Sequence, residues 1–285
     1  MSSGSEGVHV EPMRFTCGER HVGGMEARAP IVALDHPWAL DGARVGRKAA
    51  TLAVARAAGL PVGSGVVLTV DWTRDQVGAA HQVWRIISQD GRRALVVRRS
   101  SIDRGNRAGR VELGGVGVVR TVAGASEFTA AVEAVHDDRT AVLVQPVAES
   151  AWRGVMFADA TGRRPRPVVA CVAEATPDQV WVAEIDHHGR TRDVLSTGSE
   201  DHPPAGLLAD LARIARRVDR TFEGQHDLDW VARPDGSVRL IDVRPGIPTA
   251  AADATVPAPN DKRLAGPPAS IALTLALASA VSLSP

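Results

Sequence analysis

Three carboxylates and an arginine lie close together in two short segments near the end of the sequence, separated by a turn. Asp227 and Asp229 precede Pro234-Asp235-Gly236, a combination typical of hairpin turns, and Asp242 and Arg244 follow it. Because side chains alternate between the faces of a strand, each pair shares a face of its own strand. Carboxylates clustered across adjacent strands are costly unless a cation neutralises them, and Mg²⁺ binds one or two carboxylates together with phosphate oxygens. The pattern therefore indicates a magnesium and phosphate site, with a salt-bridged, solvated hairpin as the alternative.

Lysine is rare in this chain, so the two positions where it occurs are informative. Of the 33 basic residues 31 are arginine, and the two lysines are Lys48 and Lys262. Lys48 falls near the start of a predicted helix, where a compact ammonium beside free backbone N–H groups can hold phosphate oxygens. The alternative is an ordinary solvated residue of the helix.

A second phosphate-binding candidate is the segment Val97-Arg98-Arg99-Ser100-Ser101, followed by a glycine-rich stretch over residues 105–117. A strand that delivers an arginine and two hydroxyls, with a flexible loop after it, can cover phosphates and donate several hydrogen bonds to them. Serines after a strand are otherwise common turn residues. Further along, residues 142–147 (VLVQPV) form an apolar run that ends in a candidate hinge, whose backbone can pair with the edge of an adenine ring. The alternative for this run is a plain buried strand.

The composition excludes several classes of protein. The 285 residues are 44% hydrophobic and carry equal numbers of acidic and basic side chains, which is typical of a globular domain and not of collagen, a coiled coil or a disordered chain. The zero formal net charge leaves no basic footprint for nucleic acid. Cys17 and Cys171 lie far apart and without metal-ligand spacing, so a reducing, cytoplasmic location is expected.

The two ends of the sequence differ from its middle. Residues 1–28 are polar and Gly-rich and lack the apolar segment of a secretory signal, which predicts a mobile arm. The segment from residue 249 to residue 285 begins rich in Pro and Ala and ends in a 16-residue uncharged run, Ala269 to Ser284. This run is shorter than the roughly 20 residues that span a bilayer. We therefore expect a packing helix or a disordered tail there, and no membrane anchor.

Apolar periodicity predicts the elements that must position these residues. The predicted helices cover residues 46–60, 74–88, 126–136 and 207–222, and the predicted strands cover residues 65–70, 94–98, 141–145, 154–157, 168–173, 179–185, 192–195, 228–233 and 237–243. Helices and strands do not alternate strictly, so the pattern favours an α+β fold over a doubly wound parallel sheet.

Four segments, in order along the chain, resemble the N-terminal ATP-binding domain of the pyruvate phosphate dikinase, phosphoenolpyruvate synthase and rifampicin phosphotransferase family. GRKAATLAVARAAGLPVGSGVVLT resembles the family's GGKxxxLxxLxxAGxPVPxGFxxT, and VVRRSSI resembles its VRSSA. VLVQPVAESAWRGVMFADATGR resembles VxVQxMVxxxxxGVxFTxxPxTG, and HDLDWVARPDGSVRLIDVRPG resembles QDIEWxxxxGxxxxLQxRP. The resemblance runs from Val45 to Pro248. It implies an ATP-grasp fold with two α+β lobes, residues 29–140 and 141–248, and the nucleotide between them.

The resemblance also implies a role for eight residues, all at positions that contact ATP or its metal ion in the family. They are the phosphate-binding residues Lys48, Arg99, Ser100 and Arg244, the adenine hinge residues Gln145 and Val147, and the metal ligands Asp229 and Asp242. Lys48, Arg99 and Arg244 are expected to act on the transferred phosphoryl group. Two positions depart from the family: Asp229 is one methylene shorter than the usual Glu, and Asp242 is charged where the family has a neutral Gln.

These roles imply a stand-alone module that binds ATP and Mg²⁺ and acts as an ATP-dependent phosphotransferase, a kinase in the broad sense. The phosphoryl acceptor is expected to be a histidine of a separate phosphohistidine-domain protein or a small molecule. Two alternatives stay open at this stage. One is a catalytically degenerate nucleotide-binding module, and the other is an ATP-grasp ligase that forms an acyl phosphate.

Overall fold

The structure is a computed structural model that describes residues 29–102, 120–157, 167–177, 179–197, 201–224 and 226–245. The predicted N-terminal arm, the C-terminal tail and the glycine-rich stretch over residues 105–117 lie outside these residues. Within them the chain forms four α-helices and two antiparallel sheets. The predicted α+β class is therefore confirmed. No helix within the described ranges is long and apolar enough to cross a membrane.

The first sheet has five strands in the order β1-β2-β5-β3-β4. They are β1 (Ile31–Ala33), β2 (Val66–Leu68), β3 (Leu95–Ser101), β4 (Arg120–Val122) and β5 (Thr140–Pro146). The helices on this sheet are α1 (Gly42–Ala57), α2 (Val77–Ser88) and α3 (Ala125–Val135). Alternate residues of β5 pack on opposite faces: Ala141 and Leu143 belong to the core that includes α1, whereas Val142 and Val144 belong to the core that includes α2 and α3.

The second sheet has six strands in the order β11-β10-β6-β7-β8-β9. They are β6 (Trp152–Phe157), β7 (Val168–Ala173), β8 (Val180–Ile185), β9 (Thr191–Thr197), β10 (His226–Ala232) and β11 (Val238–Pro245). Helix α4 (Ala205–Phe222) covers one face, where its Leu211 and Ile214 belong to the same core as Leu228 and Trp230 of β10. The opposite face carries a small apolar cluster that includes Val168 and Ala170.

One continuous core joins the two sheets. Helix α1 contributes Leu52, which is fully buried, to the core that also contains residues of α4 and β11. Val62 forms a parallel bridge with Leu240 of β11, and the N–H of Leu240 donates to the carbonyl of Pro61 at 2.8 Å. Truncating a leucine as buried as Leu52 to alanine typically costs about 2–5 kcal/mol. The core that positions α1 against β11 is therefore a substantial part of the fold's stability.

The division between the two sheets falls later in the chain than the expected boundary after residue 140. Strand β5 lies between β2 and β3 in the first sheet, and residues Thr140 to Gln145 are all buried. Because β5 hydrogen-bonds with β2 and β3, it belongs to the first sheet and does not begin the second. The chain leaves the first sheet after Pro146 and enters the second at Trp152.

Candidate functional site

The carboxylates that the sequence singles out lie on adjacent strands. Asp229 of β10 and Asp242 of β11 are direct cross-strand partners, as are Asp227 and Arg244. Directly opposite residues of an antiparallel pair share a face, so all four side chains lie on the face of the sheet opposite α4. On the α4 side the same strands bury apolar residues, which include Leu228.

A β-bulge keeps Asp242 on this face. The pairing passes from Leu240 directly to Asp242, which leaves Ile241 as an extra residue on β11. In a regular strand without a bulge, Leu240 and Asp242, two residues apart, would face the same side, and either the leucine would leave the core or the carboxylate would enter it. The bulge also frees the carbonyl of Ile241, which accepts a hydrogen bond from Arg98 NH1 at 3.0 Å.

Three cations from three different elements surround the two carboxylates. Lys48 Nζ of α1 lies 3.0 Å from Asp242 Oδ2. Arg244 NH2 of β11 donates to Asp229 Oδ1, and Arg244 Nε lies 4.0 Å from Asp242 Oδ2. Arg98 of β3 completes the group from the first sheet. The structure therefore brings Lys48 together with Asp229, Asp242 and Arg244, which lie more than 180 residues further along the chain.

A break in α1 places Lys48. Gly46 has φ 74° and ψ 163°, and a Cβ on it would lie 1.8 Å from the carbonyl oxygen of Ser100, so only glycine fits this close approach. The helix resumes after the break, and its first amides have no intrahelical acceptor. Ser100 Oγ accepts the N–H of Ala49 at 3.0 Å and so caps the resumed helix from β3. Lys48 lies in that first turn, beside the amide of Arg47.

Arg98 and Arg99 lie on opposite faces of β3. Arg98 is 8% exposed and reaches the carboxylate site on the α1 side, as does Ser100 two residues later. Arg99 extends to the other side, where NH2 donates to Thr140 Oγ1 at 3.2 Å and to Asp137 Oδ2 at 3.4 Å. The structure thus does not bring Arg99 to the carboxylates and places Arg98 there.

Sequence reasoning missed Arg98, although the signal was present. Side chains two residues apart share a face of a strand, so Ser100 and Arg99 cannot both face α1, whereas Ser100 and Arg98 can. The similarity of VVRRSSI to the family's VRSSA points to Arg99, which directly precedes Ser100, as the phosphate-binding arginine. The alternation of side chains along the strand points instead to Arg98.

The electrostatics of the site combine burial with attraction between opposite charges. Burial raises the pKa of the Asp229 carboxyl, an effect that Arg244 opposes and the neighbouring Asp242 reinforces. Burial lowers the pKa of the Arg98 guanidinium, although Asp242 and Asp229 attract its charge. For Arg244 burial acts in the same direction, but Asp229, Asp242 and Asp227 together raise its pKa. Charge has been withdrawn from water here, which ordinarily costs free energy.

Two N–H groups in the site have no hydrogen-bond partner among the residues that the structure describes. They are Nε of Arg98 and Nε of Arg244, both buried. A buried donor left unsatisfied costs about 1–3 kcal/mol, and guanidinium groups are well suited to oxyanions such as phosphate. These orphaned donors, beside Lys48 and the first amides of the resumed helix, fit a group that carries several negatively charged oxygens.

The residues also fit a magnesium ion that arrives with such a group. Among the residues that the structure describes, no cluster of three or more His, Cys, Asp or Glu side chains is arranged to hold a metal ion. Mg²⁺ commonly takes only one or two carboxylates and completes its coordination with phosphate oxygens and water. Asp229 and Asp242, side by side across the strand pair, supply that number of carboxylates.

The expected adenine hinge lies at the end of β5. Gln145 is buried and pairs with Val96 of β3, and Val147 is exposed. The N–H of Val147 donates to the carbonyl of Ala94 at 2.9 Å. The amide that the resemblance offers to adenine is therefore used within the first sheet.

Comparison with known proteins gives similarity in structure but not in sequence. No family model matches the chain, and no curated protein is significantly similar to it. The D-alanine-D-alanine ligase from Coxiella burnetii is 20% identical over 82% of this chain and 57% of its own, with a TM-score of 0.43. Carboxyaminoimidazole ribonucleotide synthase from Aspergillus clavatus, complexed with ATP, is 13% identical over 71% of this chain and 45% of its own, with a TM-score of 0.45.

A third similar structure is D-alanyl-alanine synthetase A from Vibrio cholerae, which is 13% identical over 89% of this chain and 69% of its own, with a TM-score of 0.43. This chain spans less than two thirds of the length of the first two structures. The function must accordingly be argued from this chain's own residues.

Proposed function

We propose that the chain is an ATP-grasp module of the pyruvate phosphate dikinase type, which binds Mg-ATP between its two sheets and transfers a phosphoryl group. One observation carries the proposal: Lys48, Arg98 and Arg244, from three elements of the two sheets, converge on the adjacent carboxylates Asp229 and Asp242. These elements lie in the four sequence segments that resemble this family, and the segments follow one another in the family's order.

The phosphate groups would be held by the cations of the site. Lys48 and Arg244 are paired with carboxylates, and both can exchange that partner for phosphate oxygens. Arg98 contributes a buried Nε donor that has no acceptor among the described residues, and Lys48 lies in the first turn of the resumed helix. Preorganised donors of this kind neutralise charge on the phosphoryl oxygens without reorganising during the reaction.

Asp229 and Asp242 would hold the metal ion. A magnesium ion bound there with ATP would supply positive charge that stabilises the phosphate oxygens. Its charge would also favour the ionised form of Asp229, whose pKa burial raises. The two carboxylates released by Lys48 and Arg244 are thereby neutralised again, so no bare charge is left in the site.

The chemistry proposed is phosphoryl transfer from ATP to a nucleophilic acceptor. A bond from phosphorus to a nitrogen or oxygen of the acceptor forms as the bond from phosphorus to the leaving oxygen of the nucleotide breaks. We propose a histidine of a separate phosphohistidine-domain protein, or a small molecule, as the acceptor. Lys48, Arg98 and Arg244 would orient the phosphate chain and stabilise its charge during the transfer.

Thermal unfolding with defined nucleotides tests the proposal. The full chain is heated with Mg-ATP, with Mg-GTP, with ATP plus EDTA and without ligand, and the nucleotides in each incubation are separated by chromatography. A ligand that binds the folded state at 100 times its Kd stabilises it by about 2.7 kcal/mol, so we expect a magnesium-dependent rise in Tm with ATP. The absence of any rise with Mg-ATP at millimolar concentration would refute the nucleotide site.

The nucleotide product separates this proposal from the two alternatives. An acceptor that attacks the γ-phosphorus releases ADP, whereas an acceptor that attacks the β-phosphorus releases AMP and takes both terminal phosphate groups. Formation of AMP with a partner phosphohistidine protein present therefore supports dikinase-type chemistry, and ADP that depends on the same partner supports transfer of the terminal phosphoryl group alone. ADP and phosphate that appear only when a carboxylate and an amine are both added indicate a ligase. Magnesium-dependent binding of ATP without any product, even with these acceptors, indicates a nucleotide-binding module that has no chemistry of its own.

A further inference from the structure

A cavity of about 390 Å³ lies far from the carboxylate site, between the β8–β9 turn and the start of α4. Trp181 of β8 and Leu208 of α4, which line it, belong to the core on the α4 face of the second sheet. Asp229 and Asp242 lie on the opposite face. They also lie at the opposite edge, because β11 and β10 begin the strand order that ends with β8 and β9. The cavity is therefore separate from the proposed nucleotide site.

The polar groups that line this cavity are suited to an anion. They include Arg190, His188, His202 and Thr191, and no Asp or Glu is among those lining residues that the structure describes. The apolar lining includes Trp181, Val194 and Leu208. A ligand that satisfies both sets of contacts has a negatively charged group and an apolar body.

The cavity also lies at the positive end of an 18-residue helix. Helix α4 begins at Ala205, which lines the cavity, and its N-cap residue Pro204 makes no side-chain capping hydrogen bond. The amides of Ala205 and Gly206 donate to no backbone carbonyl of the described residues. Such amides, together with the helix dipole, favour a negative charge. Helix α4 has no acidic residue in its first turn to supply one.

An independent observation comes from Trp181. This side chain is 2% exposed and lines the cavity, and its indole N–H has no hydrogen-bond partner within the described ranges. A buried indole N–H ordinarily finds an acceptor, and leaving a buried donor unpaired costs about 1–3 kcal/mol. A ligand with an acceptor oxygen would give this N–H the hydrogen bond that it lacks.

The turn that presents the polar groups is rigid. Asp186 Oδ1 accepts the backbone N–H of His188 at 2.8 Å and that of Arg190 at 3.0 Å. Gly189 between them has φ 80°, and a Cβ on it would lie 2.4 Å from the backbone of Leu208 and Ala209. The turn is thus locked against the first turns of α4. A preformed wall of this kind lowers the ordering cost of binding a small molecule.

We propose that this cavity binds a small organic carboxylate. The carboxylate group lies at the start of α4 beside Arg190, and the apolar body contacts Trp181, Val194 and Leu208. Among the described residues that line the cavity, Arg190 is the single permanent cation, which matches a single negative charge better than the double charge of a phosphate. The site does not depend on the proposed nucleotide function.

The indole N–H resonance of Trp181 tests the proposal in the full-length chain. The resonance is identified in ¹H–¹⁵N spectra by its loss in Trp181→Phe, and the probes are phenylacetate, the neutral isostere phenylacetamide and inorganic phosphate. We expect phenylacetate to shift this resonance saturably and phenylacetamide to leave it in place. Trp84 also has an indole N–H without a partner but lies on α2 in the first sheet's core, and its resonance should not move.

A matched pair of variants on α4 separates charge from shape. Ala209 is exposed and lines the cavity, so Ala209→Glu adds a carboxylate there and Ala209→Gln adds the same volume without charge. We expect Ala209→Glu to weaken the binding of phenylacetate by about tenfold or more and Ala209→Gln to change it less than about twofold. Both substitutions suit an exposed helix position, so melting temperatures close to that of the unmodified chain are expected.

Four results would overturn the proposal. They are the absence of a saturable shift at Trp181 with phenylacetate up to about 10 mM, an equal shift with phenylacetamide, tighter binding of inorganic phosphate than of phenylacetate, and equal effects of the two Ala209 variants. The first result shows that the cavity binds no such ligand. The second and fourth show binding by apolar contact alone, and the third shows a phosphate site instead.

Discussion

Two clusters in the second sheet each pair an aspartate with cationic side chains, but they differ in their role. Asp186, in the turn between β8 and β9, accepts two backbone N–H groups and the Arg192 side chain, whose NH2 lies 2.6 Å from Oδ2. Asp242, on β11, is 3.0 Å from Lys48 Nζ, and its neighbour Asp229 accepts from Arg244. Both clusters contain buried carboxylates paired with cations. They differ in where their partners come from and in what is left unpaired.

The partners of Asp186 lie within six residues of it in sequence, and they hold a turn. The partners of Asp242 and Asp229 come from α1 and β11, and Arg98 of β3 donates to the carbonyl of Ile241 beside them. Within the part of the chain that the structure describes, two buried guanidinium N–H groups of this cluster have no acceptor. A cluster whose partners are local and whose hydrogen bonds are satisfied stabilises a turn and needs no ligand. A cluster assembled from distant elements with donors to spare is typical of a site that awaits a ligand.

The pKa values of Asp186 and Asp229 support the same distinction between the two clusters. For Asp186 the hydrogen bonds from the backbone of Arg190 and His188 and from the Arg192 side chain outweigh its burial and lower the pKa to about 2. For Asp229 burial raises the pKa in spite of Arg244. The ionised form is thus stabilised by the fold at Asp186 and destabilised by it at Asp229.

The largest effect expected from this contrast is on turnover in Lys48→Ala. Removing one preorganised donor from a transition-state site typically costs about 100- to 1,000-fold in rate, and we expect a loss of ATP turnover in that range. The measurement is nucleotide product formed per unit time with saturating Mg-ATP. Arg192→Ala, which removes a cation from Asp186 instead, should leave turnover unchanged. Equal turnover in Lys48→Ala and the unmodified chain would remove Lys48 from the site.

The next effect separates two neighbouring arginines. Arg98→Gln removes donors from the proposed phosphate site, and a lost hydrogen bond between charged groups is worth about 1.5–3 kcal/mol, or about 10- to 100-fold in the Kd for Mg-ATP. Arg99→Gln removes only contacts with Asp137 and Thr140 and should leave that Kd within about twofold. Titration calorimetry with Mg-ATP gives both values. A larger loss of affinity for Mg-ATP in Arg99→Gln than in Arg98→Gln would show that Arg99, and not Arg98, contacts the nucleotide.

The melting temperature of Arg98→Gln needs its own control, because Arg98 is buried and donates to Ile241. Arg98→Lys keeps the positive charge and loses the planar pair of donors. An affinity for Mg-ATP between those of Arg98→Gln and the unmodified chain, at an unchanged Tm, would attribute the loss to the guanidinium and not to unfolding.

The smallest effect is on stability, and the two clusters should differ in its sign. Asp186→Asn should lower the free energy of unfolding at neutral pH, and the difference should shrink as pH falls from about 4 to about 2, because a depressed pKa contributes stability only above the unfolded value. Asp229→Asn should raise the free energy of unfolding at neutral pH in the absence of ligand, because it replaces a carboxylate whose ionisation burial disfavours.

As pH falls, the unmodified chain should gain stability relative to Asp229→Asn, since protonation of Asp229 removes the buried charge. Urea unfolding across this pH range measures both differences. If the two substitutions change stability with the same sign at neutral pH, the distinction between the clusters is wrong.

Much of the fold was accessible from the sequence, because period and length identify long elements well. The strand Val168–Ala173 was predicted with its observed bounds, and the other long elements within a few residues. Strands β1 and β4 were not predicted, because three residues are too few for a periodic signal. Strand β2 is equally short but was predicted, because it lies within a longer apolar run over residues 65–70. Helix α1 starts four residues before its predicted start, where Asp41 Oδ1 caps the N–H of Ala43.

The site was accessible only in part. The hairpin of Asp229 and Asp242 follows from local alternation and a turn, and Lys48 from its rarity and its place in a helix. The bulge at Ile241 leaves no clear local signal, and the approach of Lys48 to Asp242 joins residues nearly 200 positions apart. Such contacts depend on how α1 packs against β11, which is a property of the whole core.

The serine cap on α1 has a consequence for the order of folding. The hydroxyl of Ser100 closes a loop of 51 residues to reach Ala49, and Gly46 can adopt its left-handed conformation against the Ser100 carbonyl only once β3 is in place. An isolated helical segment of this length is marginal in water and has no reason to break at Gly46. The turn that bears Lys48 should therefore be among the last parts to acquire hydrogen-exchange protection during refolding, after the strands of the first sheet have paired.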